Sequence, residues 1–259
     1  MVLFRHELRQ GRVALLIWTC AVAGLLGVCV LIYPEMAEQM ETVGALFSDM
    51  GAFSTAFGMD RIHFGSFPGY FAVECGNVLG LGGALFAALL GVCALAGEEG
   101  TADFLLTHPI SRLRVAAEKL GAAFAQLGLF TLSSAAVTAL CTAAIGQRPP
   151  LGPMALLFLA HFLLQAQIAA VTFSLSAFLR QKNAGAGLGL AVLFYFLNLL
   201  ANLTQKAAFL KYLTPFAWAE GADILTEHAL NGRYLAAGLG VALAALALGM
   251  AHYRRKDIV

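Results

Sequence analysis

Six long intervals of this chain carry no charged side chain other than histidine. They lie between Arg12 and Glu35, Glu74 and Glu98, Lys119 and Arg148, Arg148 and Arg180, Lys182 and Lys206, and Arg233 and Arg254. Each is long enough to cross a hydrocarbon core of about 30 Å as a helix, which takes roughly 20 residues. A backbone in lipid must satisfy its own polar groups, and a helix does so within one segment. Only 12% of the 259 residues are charged and 60% are hydrophobic, against about 25% charged in soluble domains. The fold class expected is therefore all-α, a polytopic membrane protein with six transmembrane helices in a single domain over residues 1–259.

The spans are placed at about 13–33, 76–96, 115–145, 151–179, 184–203 and 234–253. Ahead of the first, Phe4, Leu8, Gly11 and Leu15 share one helical face and Arg5, Arg9 and Arg12 another, which predicts an amphipathic interfacial helix over 2–12. These arginines and Ala21-Val22-Ala23 imitate a leader peptide, but the apolar run continues to Tyr33, and a retained first span is expected. Tyr33-Pro34 should end it. Residues 34–75, acidic except for Arg61 and rich in aromatics, read as a loop resting on the membrane interface. In the second span Gly76 and Gly80 form a GxxxG pair that permits close helix approach. Residues 204–233 are too polar and interrupted to span, and their Lys211–Trp218 portion reads as an aromatic re-entrant or interfacial piece.

Six spans put both termini on one side. That side holds Arg5, Arg9, Arg12, Arg112, Arg114, Lys119, Arg180, Lys182, Arg254, Arg255 and Lys256, eleven of the sixteen basic residues. The positive-inside rule makes it cytoplasmic, in a cell-membrane protein whose loops 34–75 and 204–233 face outward.

Polar residues within the spans are few. Thr131, Ser134, Thr138 and Cys141 or Thr142 recur at helical spacing and line a path or bond their own helix carbonyls. His161 and Gln165 lie four apart and can meet on one face; they are path candidates or interhelical hydrogen-bonding groups. Asn198 and Asn202 close the fifth span and join the path-lining set. No catalytic, cofactor or metal site emerges. The chain has no Gly-Lys dipeptide and hence no P-loop, no HExxH and no GxSxG; its five scattered cysteines have no ligand spacing. A net charge of +1 without a basic cluster gives no footprint for nucleic acid. Carboxylates are nearly absent from the spans, with His161 the one ionisable residue deep in any of them, which argues against an ion-coupled carrier. The energy source is expected on another subunit.

The longest charged interruption on the cytoplasmic side runs Glu98-Glu99-Gly100-Thr101-Ala102-Asp103-Phe104-Leu105-Leu106-Thr107-His108-Pro109-Ile110-Ser111-Arg112. It resembles the E-x-G-T-x-x-x-L-L-x-x-P-(I/V)-S-R signature of the permeases of type-2 ABC exporters. Leu213-Thr214-Pro215-Phe216 with Ala222-Asp223-Ile224-Leu225, and Tyr253-Arg254-Arg255-Lys256-Asp257-Ile258, agree with the same family. The resemblance implies that Thr101–Leu106 is a coupling helix docking on a separate ATP-binding subunit. Glu98, Glu99, Thr101, Asp103, Phe104, Leu105, Leu106, His108, Pro109 and Ile110 would then contact that subunit. Pro109 would break the helix and Ser111 would cap the third span. Segment 2–12 would be the family's interfacial helix and 206–225 its outer re-entrant element. His108, where many members carry a small or apolar residue, and the long 34–75 loop depart from the pattern. ATP and Mg would sit on the partner, which is expected in two copies with a second, identical or paralogous permease. Two other classes fit less well: an accessory or sensor subunit using loop 34–75, and a membrane-embedded enzyme built around His161 and Gln165.

Overall fold

A computed structural model describes residues 2–49, 51–96 and 111–255, the side chains of residue 2 and of 40–49 excepted. The putting together of this chain begins with α1, Val2–Asp49, followed by the short α2, Ala52–Ala56. The next helix is composite: α3, Phe67–Tyr70, a π turn over Phe71–Cys75, and α4, Gly76–Val92. Then come α5, Arg112–Ala144, α6, Leu151–Phe178, and α7, Ala184–Leu203. Two 3-10 turns, Gln205–Tyr212 and Pro215–Trp218, lead to α8, Gly221–Glu227, and α9, Gly232–Arg255. Among the described residues, six helices are long and apolar enough to cross a membrane: Leu3–Gln39, Phe67–Val92, Arg112–Ala144, Leu151–Phe178, Ala184–Leu203 and Gly232–Arg255.

Short polar residues start these helices. Ser111 Oγ accepts from Arg114 N, Asn183 Oδ1 from Ala186 N, and Asn231 Oδ1 from Arg233 N and Tyr234 N, each relieving an orphan amide of the first turn. Ser111 thus caps the third span as expected.

The broadest pairings are α1 with α5, α4 with α6, and α6 with α9. Leu26 and Val30 of α1, Leu79 and Phe86 of α4, Leu127 and Phe130 of α5, and Leu157, Leu164 and Ile168 of α6 meet in one core. A smaller cluster, Leu95, Ala116, Phe173, Ala177 and Tyr253, closes the end that carries both termini. Outside, Leu16, Ile17, Leu132, Leu140, Leu243 and Leu248 are exposed, a distribution that costs nothing when the surroundings are hydrocarbon.

Three boundaries differ from the sequence-based expectation. The segment 2–12 is not a separate interfacial helix but the start of α1, collinear with the span. Its apolar face packs on α5, with the Phe4 ring against Gly121 and Gly11 against the Gln126 side chain, and Phe4 N donates to Glu118 Oε2 at 3.2 Å. Arg5, Arg9 and Arg12 are exposed, so the two faces are divided as the pattern implied. Second, α1 passes through Pro34 to Asp49. Proline removes one helical hydrogen bond, and the residues after it, Glu35-Met36-Ala37-Glu38-Gln39, are strong helix formers. Third, the second span starts near Phe67 rather than Gly76. Ser66 Oγ accepts from Gly69 N with Pro68 in the first turn, a favourable helix start. Phe64, Phe67, Tyr70 and Phe71, read as interfacial, are buried around Tyr33. Tyr33 Oη donates to Gly65 O and Tyr70 Oη to Cys29 O, which lets both rings be buried without an unpaired hydroxyl.

Candidate functional site

Glycine sets the geometry of the polar interior. On α4, Gly80, Gly83 and Gly91 face α6. A Cβ at Gly80 would stand 3.4 Å from His161 Nε2, one at Gly83 would overlap the Gln165 amide, and one at Gly91 would meet Thr172 Oγ1 and the backbone at Ala169 and Phe173. The absence of side chains lets α4 approach α6 closely enough for His161 to reach across. Its Nδ1 lies 2.8 Å from Leu157 O in its own helix and its Nε2 3.1 Å from Gly76 O, at the end of the π turn. A neutral imidazole donates to one of these carbonyls at a time.

His161 and Gln165 turn to different partners. Gln165 Oε1 accepts from Thr131 Oγ1 at 3.2 Å, joining α6 to α5. Thr142 Oγ1 donates to Thr138 O, while Ser134 Oγ and Thr138 Oγ1 are buried without a hydrogen-bond partner. The hydroxyls of α6 go to their own helix: Thr172 to Ile168 O, Ser174 to Ala170 O and Ser176 to Phe173 O. Gln167 Oε1 accepts from Trp218 Nε1 at 3.4 Å, tying α6 to the turn after α7.

His161 and Asn198 do share a cavity of about 40 Å³ between α4, α6, α7 and the start of α8, lined also by Asn77, Tyr195 and Glu220. Tyr195 Oη donates to Asn77 Oδ1 at 3.1 Å, while Asn198 Oδ1 is buried and unpaired. A cavity of this volume holds a few waters, each needing about 10–15 Å³. It is too small for a cargo.

Next to it, the segment after α2 is fastened to the start of α8. Arg61 Nη1 donates to Glu220 Oε2 at 3.0 Å and to Asp223 Oδ1 at 2.7 Å, and Arg61 Nη2 lies 3.0 Å from Glu220 Oε1. Asn202 Nδ2 donates to Glu220 Oε1 at 2.6 Å and to Ala56 O at 3.2 Å. Burial pushes the Glu220 carboxyl up, opposed by the Arg61 charge and hydrogen bond. Burial works to lower the Arg61 pKa, but Glu220 and Asp223 outweigh it and raise the value. Residues 214–219 are buried beneath this cluster, with Thr214 Oγ1 donating to Phe194 O.

Sequence reasoning missed Asn77, Tyr195, Arg61 and Glu220 as site residues. The one available signal was Arg61, the single base in an acidic segment. The residues expected to contact the ATP-binding subunit, Glu98, Glu99, Thr101, Asp103, Phe104, Leu105, Leu106, His108, Pro109 and Ile110, lie outside the described residues. Among the described residues, no group of three or more His, Cys, Asp or Glu could hold a metal ion.

No curated protein matches the chain. The family model of the ABC-2 family transporter protein matches residues 1–258, essentially its full length. Together with six helices able to cross a membrane, that match decides the assignment. The chain belongs to the ABC-2 transporter family, as a multi-pass membrane permease subunit that is not itself catalytic and whose membership implies association with an ABC ATP-binding subunit.

Proposed function

We propose that this permease serves an ATP-driven exporter and is coupled to its ATP-binding subunit through the loop 97–114, with both termini cytoplasmic. The observation that carries the reading is the family match over residues 1–258, taken with how the bundle holds the two ends of that stretch. On the leaving side, Leu95 and Ala96 are buried and Leu95 N donates to Ser176 Oγ of α6 at 3.3 Å. On the returning side, Ser111 caps α5 and Arg112 Nη1 donates to Tyr253 O of α9 at 3.3 Å. A push on the stretch is therefore delivered to α5, α6 and α9 together.

Two permeases pair around the path and two ATP-binding subunits sit beneath them. The pairing is supported by the size of the polar cavity between α4, α6 and α7, about 40 Å³, which admits only a few waters. Exposed Leu193, Phe196 and Leu200 leave α7 with a free apolar face for lipid or for the second permease. ATP binding biases the assembly between two states, and residues 206–225 re-enter the outer half of the membrane to close the path. ATP and Mg are held by the partner.

The test is co-expression with a candidate ABC ATP-binding subunit, followed by co-purification and ATPase assay. Phe104→Ala or Leu105→Ala should weaken subunit association roughly five- to thirty-fold, the cost of about 1–2 kcal/mol for truncating an apolar anchor, with membrane insertion unchanged. Unaltered transport and coupling in both variants would refute the assignment of the stretch.

A further inference from the structure

At the end of the bundle that carries both termini, a second cavity, of about 270 Å³, lies between α1, α4 and α5. One wall is apolar, formed by Trp18, Phe86, Leu89 and Leu90; the other presents Lys119, Lys182 and Gln126. Lys119 Nζ donates to Ala94 O at 2.7 Å and stands 3.6 Å from Glu7 Oε1. Lys182, on the turn between α6 and α7, is exposed and forms no ion pair among the described residues. With Glu7 also in the lining, the charged side chains among the described lining residues are two lysines and one carboxylate. Gln126 is 4% exposed, yet its Oε1 has no hydrogen-bond partner. It fits only because residue 11 is glycine, since a Cβ there would overlap the Gln126 amide.

Each of these features selects against a simpler ligand. A free inorganic anion has no use for a wall of tryptophan, phenylalanine and leucine. A neutral apolar molecule leaves Lys182 unanswered. The volume falls just below the roughly 300–1,000 Å³ of sites that enclose a whole small molecule, so the occupant is only partly inside. We propose that this cavity holds the head group of an anionic phospholipid. Its phosphate faces Lys182 and Lys119, and the first part of an acyl chain lies on Trp18 and Leu90. Basic pockets between membrane helices bind acidic head groups for the same electrostatic reason. The site is independent of the transported cargo and of the direction of transport.

Trp18 in the wall makes the proposal measurable, because the chain has only two tryptophans and the other, Trp218, is buried in the turn after α7. The full chain in a mild non-ionic detergent is titrated with phosphatidylglycerol carrying brominated acyl chains, which quench a tryptophan on contact. In parallel runs the lipid is brominated phosphatidylcholine, or the unbrominated head-group fragment glycerol 1-phosphate is added as competitor. Saturable quenching by phosphatidylglycerol at lower concentration than by phosphatidylcholine is expected, and it should vanish in Trp18→Phe. Lys182→Glu, at an exposed turn, should raise the half-saturating concentration at least fivefold, the factor for about 1 kcal/mol per basic residue. Ala122→Leu should do the same by filling the cavity. Equal quenching by the two lipids would mean unselective boundary contact and overturn the proposal. So would half-saturation unchanged in Lys182→Glu. Displacement by glycerol 1-phosphate at the concentration at which the lipid itself binds would show a free-anion site and overturn it as well.

Discussion

Arg61 and Glu220, 159 positions apart, meet as a fork on a fork: Nη1 stands 3.0 Å from Oε2 and Nη2 3.0 Å from Oε1. This pair, with Asp223 at 2.7 Å from the same guanidinium, holds the segment after α2 to the start of α8. The Arg61 side chain is 28% exposed and Glu220 11%, so the pair lies between the surface and the buried case. Arg61→Ala should cost about 2 kcal/mol, between the ~0–1 of exposed pairs and the ~3–5 of broken buried ones. Arg61→Lys should recover little, because an ammonium cannot make both parallel bonds. Thermal midpoints of the purified variants in detergent check this. Equal stability of Arg61→Ala and the wild type would remove the clamp from the account.

The Glu220 carboxyl also sets a pH dependence. Its folded-state pKa is raised above the ordinary 4.5 by burial, so the folded chain holds this proton more tightly than the unfolded one. The resulting stabilisation is complete below 4.5 and drains away as pH rises through the raised value. Glu220→Gln removes that titration. The stability of the wild type relative to Glu220→Gln should therefore fall as pH is raised from 4.5 toward neutral. A difference that grows with pH over that range would reverse the sign and refute the assignment.

Gly91 and Gly80 separate close packing from mere smallness. An added Cβ at Gly91 meets backbone atoms of Ala169 and Phe173, whereas at Gly80 it meets only ordinary contacts with His161 and Phe216. Gly91→Ala should destabilise by about 1–3 kcal/mol through overpacking. Gly80→Ala should be within about 0.5 kcal/mol of neutral or stabilising, since alanine favours a helix by up to about 1 kcal/mol. Detergent melting of the two variants measures the contrast; equal losses would show that the seam is not sterically closed at Gly91.

His161 is accounted for by the carbonyls it reaches. Replacing it with the somewhat larger phenylalanine removes the ring donor available to Leu157 O or Gly76 O, at a cost of about 1–3 kcal/mol for a buried unsatisfied group. His161→Phe should lower the midpoint by that amount. A transport defect at full stability would instead assign the ring to the path.

The spans were legible because charge is so nearly confined to their ends. Ser111 and Asn183 were legible as boundaries for a local reason: a short polar side chain beside the first turn needs no distant partner. The GxxxG pair did not locate the close approach: a Cβ at Gly76 or Gly80 meets only ordinary contacts, and α4 comes closest to α6 at Gly83 and Gly91, since glycine carries no signal of its neighbour. Pro34 misled, because proline reads as a stop although its real cost is one hydrogen bond, which the helix formers after it offset. The aromatics of 64–71 also misled, because Phe67 buried under Tyr33 and Phe67 at a lipid interface have the same sequence appearance. Arg61 stood out as the lone base among acids, but its partner lies so far along the chain that only the assembled bundle brings the two together. In the candidate site the path residues could be named one by one, while their division between Thr131–Gln165 and His161–Asn198 depends on helix rotation, which spacing does not fix.

The contact at Gly91 also bears on how such a bundle can change shape. There α4 touches α6 nearly backbone to backbone, and a Cβ at Gly187 of α7 would collide with Ala88 O and Val92 of α4. Helices that close have no side-chain layer to shear through, so sliding one past another would mean lifting them apart first. α4, α6 and α7 therefore travel as a single rigid block, and any opening has to run along its borders, against α1 and α5 or against whatever covers the exposed face of α7.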